Sequence, residues 1–135
     1  MPVQGLDHVA ITVDDVERSV QFYVDLLGAE PLFLDKFRHE NFTVVSLIIG
    51  ANRINLHPSP PRTPPKLVAR QPTAGSADLC FRWDGPIDEV VSLLAAHQLP
   101  IVEGPVPRPA SDGGDATSVY TRDPDGNLIE FLTKG

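Results

Sequence analysis

Four side chains able to ligate a divalent cation, His8, His57, Asp78 and Glu130, each stand in a strand-like run of this chain. Glu130 is the sharpest case. In Leu128-Ile129-Glu130-Phe131-Leu132 the alternation of a strand puts Leu128, Glu130 and Leu132 on one face, where an unpaired carboxylate is costly to bury. A metal ion is the most economical partner for it. Two imidazoles with one or two carboxylates suit Mn, Fe, Ni or Zn and leave positions open for substrate or water. An ion so held polarises a carbonyl or binds an enediolate, and a carboxylate beside it shuttles a proton. Proton transfer next to a carbonyl is therefore the natural reaction class. His8, His57 and Glu130 are expected to form a facial triad, with Asp78 as a fourth ligand or as the base. Singly, each residue has a plainer explanation: a structural histidine, a strand end before Pro58, a turn cap, a carboxylate paired with an arginine across a sheet.

The elements that must position these residues follow from the patterning. Asp7-His8-Val9-Ala10-Ile11-Thr12-Val13 alternates and is β-branched, which predicts a strand with His8, Ala10 and Thr12 on one face. Asp14 with Glu17 reads as the start of a helix carrying Val16, Val20, Tyr23 and Leu27 at helical spacing, closed by Gly28. The runs 31–37 and 42–49 are strand-like, and Gly50-Ala51-Asn52 turns into a further strand, Arg53-Ile54-Asn55-Leu56-His57. After residues 58–75, which hold six prolines and no periodicity, the run 76–81 restarts the pattern. Pro86 then opens a helix with Ile87, Val90, Val91 and Leu94 as its apolar stripe, and three strands follow at 101–103, 117–122 and 127–132. Asp123-Pro124-Asp125-Gly126-Asn127 supplies the tight reversal between the last two.

The prediction is an α+β fold in a single domain, 1–135: a first βαβββ module at 3–57, a Pro-rich linker at 58–75 and a second βαβββ module at 76–133. If each module curls a mixed sheet into half a barrel, inward side chains from first and last strands meet in one metal-containing cleft. Superposed by role, Asp7-His8-Val9-Ala10-Ile11 matches Ala77-Asp78-Leu79-Cys80-Phe81, and Arg53 to Pro58 matches Gly126 to Phe131, with an offset drifting from 70 to 73. That alignment gives His8, His57, Asp78 and Glu130 equivalent strand positions, and the coincidence is the main functional signal.

Tyr120, Arg122 and Ser118 share a face of the strand before Glu130. If it is the inner face, Tyr120 donates to a bound oxyanion and Arg122 holds a carboxylate or phosphate; the alternatives are a rim tyrosine and a solvent-facing arginine. Asn55 and Arg53 lie on the His57 face, suited to steadying the ligands, with Asn55 also a candidate for substrate contact. The lone Cys80, in an apolar run, reads as an inert buried thiol. A net charge of -7 with no Lys/Arg cluster argues against nucleic acid and anionic membrane as partners, and no apolar run is long enough to span a bilayer. The start, Met1-Pro2-Val3-Gln4-Gly5, does not begin a signal peptide, so a cytoplasmic chain is expected.

The motifs Gly5-Leu6-Asp7-His8, Phe22-Tyr23 with Leu26-Leu27-Gly28, Ile54-Asn55-Leu56-His57 and Asp123-Pro124-Asp125-Gly126-Asn127-Leu128-Ile129-Glu130 together resemble the vicinal oxygen chelate superfamily, over residues 5–132. That superfamily includes glyoxalase I, fosfomycin-resistance thiol transferases, extradiol dioxygenases, methylmalonyl-CoA epimerase and bleomycin-binding proteins. Gly75-Ser76-Ala77-Asp78-Leu79-Cys80 and Glu103-Gly104-Pro105-Val106 are similar to a narrower group of small glyoxalase-domain-containing proteins, some labelled virulence-associated. The resemblance implies a divalent metal (Ni, Zn, Mn or Fe), a small oxygenated substrate bound through two vicinal oxygens, and a homodimer. In glyoxalase I the histidines sit on the first strand of each module and the carboxylates on the last; here His57 and Asp78 exchange those places. Extradiol dioxygenases and fosfomycin enzymes have a histidine where Asp78 stands, while Tyr120 resembles their active-site tyrosine. The resemblance thus implies a glyoxalase-like metal-dependent lyase or isomerase, with an Fe(II) extradiol-type dioxygenase or a non-catalytic antibiotic-binding protein as the alternatives.

Overall fold

The computed structural model describes residues 2–135 and forms two compact units, the first ending at Gly75 and the second starting at Ser76. Each is an open four-stranded mixed sheet with helix packed on one face, so the architecture is α+β and neither sheet is closed.

The first unit runs β1 (Val9–Val13), α1 (Val16–Leu27), β2 (Glu30–Leu32), α2 (Leu34–His39), β3 (Val45–Ile49) and β4 (Asn52–Pro58). Its strand order is β1-β4-β3-β2, with β1 parallel to β4 and the other pairs antiparallel. Strand alternation sends Ile11, Val13, Val45, Leu47, Ile54 and Leu56 into a core shared with Val16, Val20, Tyr23 and Leu26 of α1. The opposite face carries Ala10, Thr12, Ser46, Arg53, Asn55 and His57, the polar set that matters below. Asp15 rather than Asp14 caps α1, its Oδ1 accepting from the Arg18 amide at 3.1 Å, and Gly28 ends the helix at φ 66°.

The run 31–37, expected as a strand, is strand only to Leu32. Phe33 takes a left-handed φ of 69° and α2 begins at Leu34. Leu34 and Phe37 fit helical as well as strand spacing, and tertiary partners decide: Phe37 is buried, and Arg38 forks onto Glu17 of α1 at 2.6 and 2.8 Å. The linker is tied to this unit. Arg62 donates to the Phe37 and Phe42 carbonyls at 2.8 and 2.9 Å and lies 3.8 Å from the Phe37 ring centroid.

The second unit runs β5 (Asp78–Arg82), α3 (Ile87–Ala96), β6 (Glu103–Pro109), β7 (Asp115–Arg122) and β8 (Leu128–Thr133), in the order β5-β8-β7-β6 with β5 parallel to β8. Val90 and Leu94 of α3 pack over Val119, Ile129 and Phe131. The strand expected at 101–103 instead starts at Glu103 and continues through Pro105, Pro107 and Pro109. Proline is tolerated there because β6 is an edge strand, whose outward N–H groups have no ladder partner to lose. At Gly104, φ 100°, a Cβ would strike the Ser118 carbonyl oxygen, so the edge closes on β7 only with glycine in place.

Strand register corrects the superposition of the two halves. Ala10 lies opposite Asn55 in the first unit and Cys80 opposite Glu130 in the second. With His8 and Asp78 as counterparts, the counterpart of Glu130 is Asn55; His57, opposite Thr12, corresponds to Leu132. The motif-based alignment slipped by two residues, which preserves side-chain face and so left no trace in the pattern.

The hairpin at residues 123–127 forms as predicted and does more than reverse the chain. Buried Asp123 accepts from the amides of Asp125 and Asn127 at 3.0 and 2.9 Å and from Asn127 Nδ2 at 2.8 Å. Asn127 Oδ1 in turn accepts from the Ala77 amide at 2.8 Å, at the entrance to β5. Asn127→Ala strands a buried carboxylate oxygen and a backbone amide at once. It should lower stability by about 2 kcal/mol, seen as a drop of several degrees in thermal unfolding; a change within about 0.5 kcal/mol would show that the latch is dispensable.

Candidate metal and substrate site

The first unit brings together half of the expected residues. His8, just ahead of β1, is partly exposed, and its Nδ1 bonds Asp7 Oδ2 at 2.8 Å. A carboxylate on Nδ1 fixes the ring's orientation and leaves Nε2 for a ligand, the arrangement common to metal-binding histidines. The His8 imidazole holds the Asp7 carboxyl below its usual range, chiefly through this bond. His57 on β4 is half-buried, with Nδ1 at 3.4 Å from Thr63 Oγ1. Desolvation, and secondarily the proximity of His8, push its pKa below that of an ordinary imidazole, favouring the neutral ring that ligation or proton acceptance requires. Between them, Asn55 Oδ1 accepts from Ser46 Oγ at 2.6 Å, and Ser46 Oγ accepts from Arg53 Nη2 at 2.9 Å.

The second unit supplies carboxylates and a phenol. Glu130, on the middle strand β8, is half-buried and its Oε2 accepts from buried Ser118 Oγ at 2.6 Å. The Cys80 thiol lies within hydrogen-bonding reach of the same carboxylate. Asp78 is exposed at the start of β5, on the same face as Cys80 and Glu130. Tyr120 stands directly opposite Glu130 across the β7–β8 ladder. Its hydroxyl oxygen accepts from Arg108 Nε at 2.9 Å, which leaves the phenolic proton to donate elsewhere, and the Arg108 guanidinium lies 5.5 Å from the ring centroid.

Arg122, read from the sequence as an anion anchor, spends part of its guanidinium on the Gly126 carbonyl at 3.1 Å and so braces the hairpin. Arg108 was not singled out from the sequence. The signal was there in the alternation Pro105-Val106-Pro107-Arg108-Pro109: once that run is a strand, its prolines share one face and Arg108 the other, level with Ala116 and near Tyr120. Among the described residues no three His, Cys, Asp or Glu side chains are gathered as a ready-made cage. The nitrogen donors His8 and His57 and the oxygen donors Asp78 and Glu130 are of types that suit a borderline divalent ion.

Sequence comparison places residues 5–131 within the model of the Glyoxalase/Bleomycin resistance protein/Dioxygenase superfamily. The virulence protein STM3117 of Salmonella typhimurium is 42% identical over 131 residues, covering 97% of this chain and 85% of that protein. Its crystal structure superposes with a TM-score of 0.85, covering 98% of both chains. The glyoxalase domain-containing protein RDO1 of Mycosarcoma maydis is 37% identical, covering 97% of this chain and 69% of that protein. The metallothiol transferase FosB of Staphylococcus epidermidis is 29% identical, covering 98% and 84%.

Cys80 departs from the sequence expectation, since its side chain is exposed rather than buried. Even so, the packed sheet around the sulfur desolvates it and the Glu130 carboxylate beside it repels a thiolate, so its pKa is raised to about 11. In metal-free protein at pH 8, alkylation of Cys80 by iodoacetamide should run about 100-fold slower than that of an unperturbed cysteine, because the thiolate is the reactive form. Alkylation at the rate of a free thiol would show that Glu130 is turned away from the sulfur.

Proposed function

The chain belongs to the Glyoxalase/Bleomycin resistance protein/Dioxygenase superfamily, and from that premise we propose that it is a metal-dependent lyase or isomerase acting on a small molecule with two vicinal oxygens. The observation that carries this reading is the preparation of His8 and Glu130: each has one donor atom held in place by a neighbour, Asp7 or Ser118. In the proposal these two anchor a divalent cation, Ni, Zn, Mn or Fe. Asp78, the strand counterpart of His8, is the third ligand. His57, expected from the sequence as a ligand, is in this proposal a neutral imidazole that accepts the substrate proton, since the strand counterpart of Glu130 is Asn55. The resemblance to a metallothiol transferase supports a metal, though not that enzyme's reaction.

When bound, the cation supplies Lewis acidity to the paired substrate oxygens. The protein's own part is to orient and to move a proton. Tyr120, with Arg108 on its oxygen, donates its phenolic proton to the substrate oxygen that gains charge. Asn55, its carbonyl held by Ser46, presents its amide to the substrate.

Metal analysis of purified protein tests the reading. Wild type should carry a stoichiometric divalent metal. Glu130→Ala, His8→Ala and Asp78→Asn should each weaken metal binding by about 100-fold or more, and Ser118→Ala by about 10- to 100-fold. His57→Gln should retain the metal and lose turnover. Wild-type protein that takes up no metal, or a Glu130→Ala variant that keeps it, would contradict the proposal and favour a sequestering role.

A further inference from the structure

We infer that Arg53 recognises an oxyanion on the substrate, a carboxylate or a phosphoryl or phosphonyl group, beside the histidines of the first unit. This rests on the substrate-site reading above and narrows it to an anionic substrate.

Arg53 lies on β4, an interior strand, on the face that also presents Asn55 and His57. A half-buried arginine at such a place ordinarily meets a carboxylate. Here its hydrogen bond runs from Nη2 to the Ser46 hydroxyl at 2.9 Å, and Ser46 passes its own proton to Asn55 at 2.6 Å, so the partner is neutral. The Asp7 carboxylate is engaged by His8 and feels Arg53 only as a weaker, more distant charge. Nε is buried and has no hydrogen-bond partner. An uncompensated guanidinium with an orphan donor is rare in a folded protein, and rarer in one with a net charge of -7.

The fork of Nε and its neighbouring amino group matches two oxygens of a carboxylate or phosphoryl group. The exposed Phe33 ring, 5.7 Å from the guanidinium carbon, is the part free to turn aside and admit the ligand. Nη2 keeps one proton for the ligand while its other is held by Ser46. Arg53 is thus pre-set for an anion, and the substrate class becomes a small acid or phospho compound whose vicinal oxygens lie near its charged group.

The test needs no metal and no knowledge of the reaction. The Nε–Hε resonance of Arg53, assigned by its absence in Arg53→Gln, is followed in the metal-free full chain as sodium oxalate or inorganic phosphate is added at constant ionic strength. The inference predicts a saturable shift with at least one anion in wild type, and an affinity for that anion, measured by calorimetry on both proteins, weakened at least about 10-fold in Arg53→Gln. Response to oxalate alone would identify a carboxylate, and response to phosphate alone a phosphoryl or phosphonyl group. No saturable shift with either anion, or binding undiminished in Arg53→Gln, would overturn it. The wild-type titration decides even if Arg53→Gln fails to fold, in which case Arg53→Lys serves for comparison. Because the readout is independent of metal, it separates failure of this inference from failure of the metal assignment.

Discussion

The Asn127 side chain joins the turn, the start of β5 and β8 through bonds to Asp123 and the Ala77 amide, and Leu128 adds a backbone bond to the Ala77 carbonyl at 3.1 Å. These bonds fix which residue of β5 faces which residue of β8. Displaced by one residue, β8 would point Glu130 into the mainly apolar side against α3, where burying a carboxylate is costly. The polar cluster on the other face, Glu130 with Ser118 and Tyr120 with Arg108, is therefore conditional on a buried amide at the strand's entrance.

The first unit solves a similar problem differently. Its parallel β1–β4 pair is sandwiched by α1 on one face, and the alternation of apolar residues is strict enough to hold the register without a polar latch. The other face is free to carry a chain of neutral hydrogen bonds, Arg53 to Ser46 to Asn55, and two imidazoles whose second nitrogens remain open. Packing and chemistry are thus separated onto opposite faces of the sheet.

The elements read well from the sequence where one periodicity stood alone. The strand at Val9–Val13, both long helices and the hairpin turn were legible because alternation, helical spacing and turn chemistry agreed. Residues 33–39 were not, since a left-handed Phe33 and the Glu17–Arg38 pair are tertiary facts. Nor was β6, whose prolines look like strand breakers until its edge position is known. At the site, residue types were legible and register was not: His57 and Asn55 share a face, so the sequence could not say which one answers to Glu130. Arg108 and Ser118 gained significance only from their contacts.

His8 and Glu130 are proposed to serve one divalent cation. A crystal structure of the metal-loaded protein, with the metal located by its anomalous scattering, tests this most directly. The account predicts a single strong peak at about 2.0–2.2 Å from both a His8 nitrogen and a Glu130 oxygen, of the same chain or of two paired copies. A peak held by other residues, or His8 and Glu130 turned to solvent in every copy with the metal elsewhere, would contradict it.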